Sequence, residues 1–459
     1  MRSFTLDNPA TEERAVTIDL LAYDAIDRVM ADAREGSRAM AATSLPERIE
    51  LCEHFCVAFL SEQDAIASEI VTQMGKPLTE ARREVTTMLD RARAMMAFAP
   101  SALSTIELEP KPGFERQIER LPVGVVLDIA AWKYPLLIAV NVVVPALLAG
   151  NAVILKHSSR TPLCGKRFAD AFRQAGAPRG AITSLAADHA TTAAIIARPE
   201  IGYVAFTGSV DGGREVSRAA AGRFIDVGLE LGGKDPAYVR ADADIAYAAA
   251  EIADGAFYNA GQSCCAVERI YVDRRTHRSF VEALVAETER RRPGDPRDEA
   301  TNLGAIAQPA GLAVIAKHVQ EATAKGARVL VGGRATKVDG RGRFFQATVL
   351  DGATHAMAVM TEETFGPVAP VMAVDGDAEA LALMNDSPYG LTASVWSRDI
   401  ESARALAKQV TAGTVFINRC DYLDPALPWT GWKDSGVGLT LSHMGFERLV
   451  RTRSHHYRL

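Results

Sequence analysis

The chain is poor in several things, and each shortage narrows its function. It has little charge imbalance: 51 lysines and arginines stand against 57 aspartates and glutamates, a net of −6, with no basic tail or lysine/arginine cluster. Nothing here recruits a nucleic-acid backbone or an anionic membrane surface. Cysteine is scarce, six in 459 residues, which excludes a disulfide framework. Cys52 and Cys56 lie four apart without a second ligand pair nearby, so they read as core thiols and no metal site is expected. The first residues, Met1 to Pro9, lack the apolar stretch of a secretory signal, and a reducing cytoplasm is the expected compartment. Long uncharged runs are missing with one exception, the 22 residues from Tyr134 to Leu155. Pro135, Asn141, Pro145 and the pair Gly150-Asn151 divide that run into a buried helix, a turn and a short strand beginning at Ala152, which is not the pattern of a membrane span.

Two nucleotide-binding signatures are also incomplete. The segment Gly228-Leu229-Glu230-Leu231-Gly232-Gly233-Lys234-Asp235 follows G-x-x-x-x-G-K-[ST] up to its last position, where an aspartate replaces the hydroxyl that would ligate magnesium. Glu230 adds a second negative charge inside the loop, so an NTPase is not expected. No G-x-G-x-x-G fingerprint exists. The nearest glycines after a strand are in Phe206-Thr207-Gly208-Ser209-Val210-Asp211-Gly212-Gly213. That segment reads as a strand, an N-capping serine and a helix start, which suits a phosphate and equally suits an ordinary turn.

What is present is an ordinary globular composition, 48% hydrophobic and 24% charged, and a length that allows two to four domains. Residues 18–98 show apolar positions at three- and four-residue spacing, with breaks near Ser44-Leu45-Pro46 and Gly75-Lys76-Pro77. From Val123 the character changes. Short apolar runs at 123–129, 152–155, 203–206, 227–231 and 237–239 alternate with helical stretches at 164–175, 191–197 and 210–221. The rhythm resumes with strands at 270–272, 329–331, 368–374, 392–396 and 414–417, and helices at 279–290 and 402–410. Such alternation predicts parallel sheets covered by helices on both faces. The simplest reading is an α/β chain of two doubly wound domains, divided near residues 232–235.

Two reactive residue types remain open on this reading. In Asn259-Ala260-Gly261-Gln262-Ser263-Cys264-Cys265, a glycine-flanked cysteine after a helix is either an exposed thiol stabilised by backbone N–H groups or a buried structural one. Glu230, on a glycine-rich bend, is either a general base or a solvated loop carboxylate.

Taken together and in order, the motifs resemble the aldehyde dehydrogenase superfamily. The resemblance rests on Ala131-Trp132-Lys133-Tyr134-Pro135, Leu155-Lys156-His157-Ser158-Ser159, Phe206-Thr207-Gly208-Ser209, Glu230-Leu231-Gly232-Gly233-Lys234 and Gly261-Gln262-Ser263-Cys264. Glu362-Glu363-Thr364-Phe365-Gly366-Pro367, Gly413-Thr414-Val415-Phe416-Ile417-Asn418, Pro428-Trp429-Thr430-Gly431-Trp432-Lys433 and the opening Asn8-Pro9-Ala10-Thr11 extend it over essentially the whole chain.

The resemblance implies a Rossmann-like cofactor domain of residues 1–105 and 122–232, a catalytic domain of residues 233–447, and a small oligomerisation sheet from 106–121 and 448–459, in a homodimer or homotetramer. It implies oxidation of an aldehyde to a carboxylic acid with NAD(P). Cys264 is the implied nucleophile and Glu230 the implied base. The thiolate adds to the aldehyde carbon, the adduct becomes a thioester as its hydride leaves, and Glu230 activates water to cleave it. Trp132, Lys156, Ser159, Gly208, Ser209, Leu231, Glu363 and Phe365 are the implied cofactor residues. NAD-preferring members often carry a glutamate at the position of Ser159. A hydroxyl there, followed by the Arg160 cation, implies a slight preference for NADP.

One residue departs from the family pattern. Lys133 stands where an asparagine donates to the developing oxyanion. A lysine also donates, and its charge favours both the oxyanion and the thiolate. It also opposes hydride departure and could pair with Glu230. Impaired or altered chemistry is the expectation, and a catalytically silent binding or structural protein of the same fold is the competing one. Tyr134, Ile138, Asn141, Tyr422 and Trp429 are implied to line an amphipathic substrate tunnel suited to aromatic or medium-chain aldehydes. Arg419, with the Asp421–Asp424 loop, is either a receptor for a polar tail or a structural ion-pair partner.

Overall fold

The uncharged stretch beginning at Tyr134 folds as the 14-residue helix Pro135–Leu148, buried on nearly every side, followed by Gly150 at a φ of +86° and the strand Ala152–His157. At 1.5 Å per residue that helix is about 21 Å long, short of the ~30 Å of a bilayer core. No helix among the described residues is long and apolar enough to cross a membrane. The structure is a computed structural model and describes residues 2–459.

The strand order of the first sheet creates the crevice on which the site depends. Val125–Ala130 lies in the middle. Ala152–His157 and Ile182–Leu185 follow on one side, and Ile201–Thr207 and Asp226–Glu230 on the other, all parallel. The order therefore reverses between Val125–Ala130 and Ile201–Thr207, and in an open parallel sheet the space beyond the carboxyl ends at that reversal is where ligands bind. Asp226–Glu230 would be an exposed edge. Gly436–Val437 covers it, pairing antiparallel through Gly436 with Glu230 and Val437 with Leu229.

The chain crosses to a second sheet between Glu230 and Asp235. Asp235–Val239 and Val267–Asp273 pair in parallel at its centre, flanked by Val368–Val374 and Thr348–Asp351 on one side and Thr392–Trp396 and Thr414–Ile417 on the other. Arg328–Val331 is its single antiparallel strand. Val267–Asp273 is buried along its whole length, as expected of a parallel strand covered on both faces, although only Ile270–Val272 is a continuous apolar run and Glu268 and Arg269 are buried with partners. A third, three-stranded sheet joins Val450–Arg458 to Phe114–Pro122 and Ile106–Glu107.

Three features differ from expectation. The helical pattern begins later than Ile18, because Ser3–Asp7 and Arg14–Asp19 form a β-hairpin and the first α-helix starts at Ile26. Hairpin strands and helix share apolar spacing too short to tell apart. The strand Ile182–Leu185 was not foreseen, since its sequence Ile-Thr-Ser-Leu carries little apolar signal. Finally, residues 233–447 do not form one spatial unit. Trp429, Leu441 and Phe446 pack in the core built on Val126, Val153 and the helices Pro135–Leu148 and Leu78–Leu103, so the last part of that segment completes the first unit.

Candidate active site

The site forms where the carboxyl end of the first sheet meets the amino end of the second. Lys133 follows Val125–Ala130, and Glu230 ends Asp226–Glu230. Cys264 precedes Val267–Asp273, and Phe365 precedes Val368–Val374. A cavity of about 340 Å³ brings together Lys133, Glu230 and Cys264 with all five expected tunnel residues, Tyr134, Ile138, Asn141, Tyr422 and Trp429.

The loop before Cys264 is held in an unusual backbone state. Asn259 and Ala260 have φ values of +52° and +54°, in the left-handed region that disfavours side chains. Asn259 donates to the Lys133 carbonyl at 3.0 Å and the Gln262 carbonyl at 2.8 Å, and its own N–H donates to Glu80 at 3.1 Å. Gln262 donates to the Asn259 and Ala305 carbonyls at 3.1 Å and accepts from the Ala307 N–H at 2.9 Å. The Lys76 ammonium, paired with buried Glu84, donates to the same Lys133 carbonyl at 3.3 Å. The nucleophile loop and the Trp132–Tyr134 turn are thus tied together directly.

Cys264 is half-buried and opens onto the cavity, whereas Cys265 is buried beside Asp421, to which its thiol donates at 2.9 Å. The adjacent Cys265 side chain holds the Cys264 thiol well below its ordinary pKa. Burial opposes this, and the Lys133 ammonium reinforces it. Burial works against the Lys133 ammonium, but the adjacent Cys264 and Glu363 charges outweigh it and keep lysine protonated. The side chain is 4% exposed and lies 5.3 Å from the centre of the Phe365 ring. Lys133 and Cys264 therefore each favour the charged form of the other.

Glu230 is not captured by that ammonium. Its carboxylate accepts from Thr440 at 2.6 Å and Thr207 at 3.4 Å. Burial raises its pKa to about 7; the Thr440 hydrogen bond and the Lys133 and Arg91 cations oppose the rise, and the Cys264 charge adds to it. A carboxylate poised near neutrality suits general-base work.

The residues expected at a cofactor occupy the crevice described above. Ser209 caps the helix Val210–Ala220, accepting from the Gly212 N–H at 3.2 Å, at the carboxyl end of Ile201–Thr207. The Phe206 ring packs against Gly208, where an added Cβ would lie 2.4 Å from it. Lys156 lies half-buried near the carboxyl end of its strand, where burial alone lowers the pKa of its ammonium, and it has no ion-pair partner among the described residues. Leu231 is fastened by its N–H to the Ser435 carbonyl at 2.9 Å and packs on Gly213. Glu363 accepts from the Gly233 N–H at 3.2 Å, against Gly232, and the Trp132 and Phe365 rings meet edge-on at 5.6 Å. A helix N-terminus, the Lys156 cation and a switch-point crevice fit a dinucleotide.

Two expectations require correction. Arg160 is not available to a 2′-phosphate, because it bonds the Asp7 carboxylate at 2.7 Å and the Gln73 carbonyl at 2.5 Å; Ser159 alone remains exposed there. Arg419 is neither a cavity residue nor an ion-pair partner. Its guanidinium stacks on Tyr422, 3.4 Å from the ring centre, in a neighbouring recess. Sequence reasoning missed Thr440 and Arg91. Thr440 is an isolated threonine brought in by bridging to Trp429. Arg91 had a faint signal: Glu80, Glu84, Thr87 and Arg91 recur at helical spacing, a polar stripe on one face of Leu78–Leu103. Lys234, the lysine of the incomplete phosphate-loop pattern, pairs with Glu268 at 2.6 Å, both buried.

A switch-point crevice beside a cavity that holds Cys264 and Glu230 suits a nucleotide-dependent enzyme. The model of the aldehyde dehydrogenase family matches residues 2–455, and the chain belongs to that family. It is 37% identical over 456 residues to an aldehyde dehydrogenase of Paenarthrobacter nicotinovorans, covering 98% of each chain. It is 33% identical over 452 residues to succinate-semialdehyde dehydrogenase [NADP(+)] 1 of Mycobacterium tuberculosis, covering 97% of this chain and 98% of the relative. The solved structure of an NAD-dependent aldehyde dehydrogenase from Sinorhizobium meliloti superposes with a TM-score of 0.95 at 32% identity, covering 100% of this chain and 92% of that one. The protein is an NAD(P)-dependent oxidoreductase that oxidises an aldehyde to the acid.

The geometry predicts that alkylation of Cys264 by iodoacetamide has its pH midpoint well below the ~8.5 of a free thiol. Lys133→Asn removes a cation and should move that midpoint upward. An ordinary midpoint in the wild type, or one unmoved by the substitution, counts against the action of Lys133 on Cys264.

Proposed function

We propose that Cys264 is the nucleophile, Glu230 the base and Lys133 the oxyanion donor of this aldehyde oxidation. The observation that carries the reading is the convergence of all three on one cavity, with Glu230 held by hydroxyls and the Lys133 ammonium acting on the thiol. The Cys264 thiolate adds to the aldehyde carbon, and the Lys133 ammonium donates to the oxyanion that forms. NAD(P)+ bound in the crevice supplies the hydride acceptor. Trp132, Lys156, Ser159, Gly208, Ser209, Leu231, Glu363 and Phe365 would hold it. As hydride leaves, the adduct becomes a thioester on Cys264. Glu230 then takes a proton from water, whose oxygen attacks the thioester carbon and releases the acid and the thiol. A firmly held oxyanion slows hydride departure, so Lys133 favours addition at the expense of the next step. The pairing of Lys133 with Cys264 instead of Glu230 favours this active reading over a catalytically silent one.

Reduced-nicotinamide absorbance with a panel of aldehydes tests the assignment. Wild-type steady turnover should rise with pH through about 7, as Glu230 loses its proton. Glu230→Gln should retain a first-turnover burst while steady turnover falls about 10²–10³-fold. Loss of the burst as well would remove Glu230 from the role of deacylating base.

For the cofactor, the preference for NADP rests on Ser159 in place of a carboxylate, not on Arg160, and on the named cofactor of the mycobacterial relative. Ser159→Glu places an anion near the 2′ position. It should raise the KM for NADP about tenfold or more relative to NAD; an unchanged ratio rejects Ser159 as the selector.

The same reading makes 106–121 and 448–459 an interface between copies, in a homodimer or homotetramer. Val450–Arg458 is a nine-residue edge strand paired on one side only, with Phe114–Pro122, and unpaired edges seek partners. Sedimentation should give a dimer or tetramer for the wild type and a smaller species for a chain ended after 448; identical species would reject this interface.

A further inference from the structure

Helix Leu78–Leu103 presents Arg83, Thr87 and Arg91 to the cavity at four-residue intervals. Arg83 is exposed at the helix surface, but Arg91 is only 6% exposed. Its protein partners are weak and few. One terminal nitrogen donates to the Leu137 carbonyl and to the Asn141 amide oxygen, both at 3.3 Å. Its Nε is buried with no partner at all. Buried guanidinium groups are normally matched by a carboxylate, because an unmatched one is costly.

The other charged groups of the cavity are already engaged. Glu84 is taken by the Lys76 ammonium and the Leu136 N–H, and Asp254 by Arg291 at 2.9 Å. Asp421 accepts from Cys265, and burial lifts its pKa to about 8, so at neutral pH it is largely uncharged. Lys133 belongs to Cys264, and Glu230 is held by Thr440 and Thr207. Arg91 is left as a buried cation with no ion pair among the described residues, in the same cavity as the nucleophile. Because Asn141 turns its amide oxygen toward Arg91, its NH₂ is free as a further donor.

We propose that Arg91 and Asn141 are the specificity-determining pair that receives a carboxylate at the far end of the aldehyde, so that the preferred substrates are short ω-oxo carboxylates. A guanidinium suits a carboxylate because its N–H groups form a planar fork matching the two oxygens. The apolar walls, Leu137, Ile138, Leu423 and Trp429, enclose the connecting carbons. This inference rests on Cys264 being the site of aldehyde oxidation, and it assigns the opposite end of the substrate.

The test compares matched pairs: 4-oxobutanoate with butanal, and 4-carboxybenzaldehyde with 4-methylbenzaldehyde. The readout is the ratio of kcat/KM for the anionic member to that for its neutral partner. In Arg91→Met this ratio should fall about 30-fold or more, through KM of the anionic aldehyde, as expected on truncating one side of a buried charge pair. Arg91→Lys should recover part of it. A packing role alone would lower both members together and leave the ratio unmoved, which overturns the proposal, as does a ratio unchanged in both variants. Isothermal titration of succinate into Cys264→Ala, with and without Arg91→Met, separates the two readings. If the wild type oxidises no aldehyde, the catalytic assignment fails, while Arg91-dependent binding of succinate still upholds the anion site. If succinate binding does not depend on Arg91, the anion site is rejected whatever the turnover.

Discussion

The buried ion pair between Lys234 and Glu268 is the constraint around which the catalytic groups are arranged. An ion pair removed from water persists only where its remaining hydrogen-bonding capacity is met. Here Lys234 also donates to Thr364 at 3.0 Å, and Glu268 accepts from the N–H groups of Thr364 and Phe365 at 2.7 and 2.8 Å. Arg269 closes the set by donating to the Lys234 carbonyl at 2.7 Å. Lys234 follows the bend that carries Glu230, Glu268 lies in the strand after Cys264, and Phe365 leads the next strand. One pair thus fixes three approaches to the cavity. Losing one partner would strand a buried charge, at a cost of about 3–5 kcal/mol.

A second set of contacts works from the other side. The Lys133 carbonyl is gripped by Asn259 and by Lys76, and the left-handed residues Asn259 and Ala260 shape the loop that delivers Cys264. Non-glycine residues in that region cost about 1–3 kcal/mol each. The network of Gln262, Glu80 and Asn259 offsets that strain and leaves the thiol and the ammonium in register. Gly233 makes the approach possible, since a Cβ there would lie 2.4 Å from the Cys264 carbonyl oxygen. The fixed geometry means the thiolate needs no rearrangement before it attacks.

Much of this was legible in the residue order, and the reasons are physical. Strands such as Val125–Ala130 and Val368–Val374 are largely buried on both faces, so they appear as near-continuous apolar runs between helices. The alternation pointed to parallel sheets, but the strand order, with its reversal between Val125–Ala130 and Ile201–Thr207, is set by the fold and not by the alternation. The chemistry of Cys264 and Glu230 was ambiguous until the motifs were taken in series, because a lone cysteine or loop carboxylate looks the same in a core or on a surface. Contacts across the fold left less trace. Arg160 looked like a cofactor cation and is spent on Asp7, far back in the chain. Arg91 looked like one more charged residue on an amphipathic helix. Whether a charge is solvated, paired or stranded depends on what the fold brings opposite it, and spacing along one helix does not encode that.

The strand that ends in Glu230 is completed by residues that arrive some two hundred positions later. Gly436–Val437 seals its edge, Ser435 accepts from the Leu231 N–H, and Thr440 holds the carboxylate itself. Such distant pairings close late, because the loop-closure entropy of the whole second unit must be met first. The carboxylate of Glu230 is therefore fixed by long-range closure and not by its own strand. On the proposed assignment, the aim of the base thus depends on residues near the end of the chain.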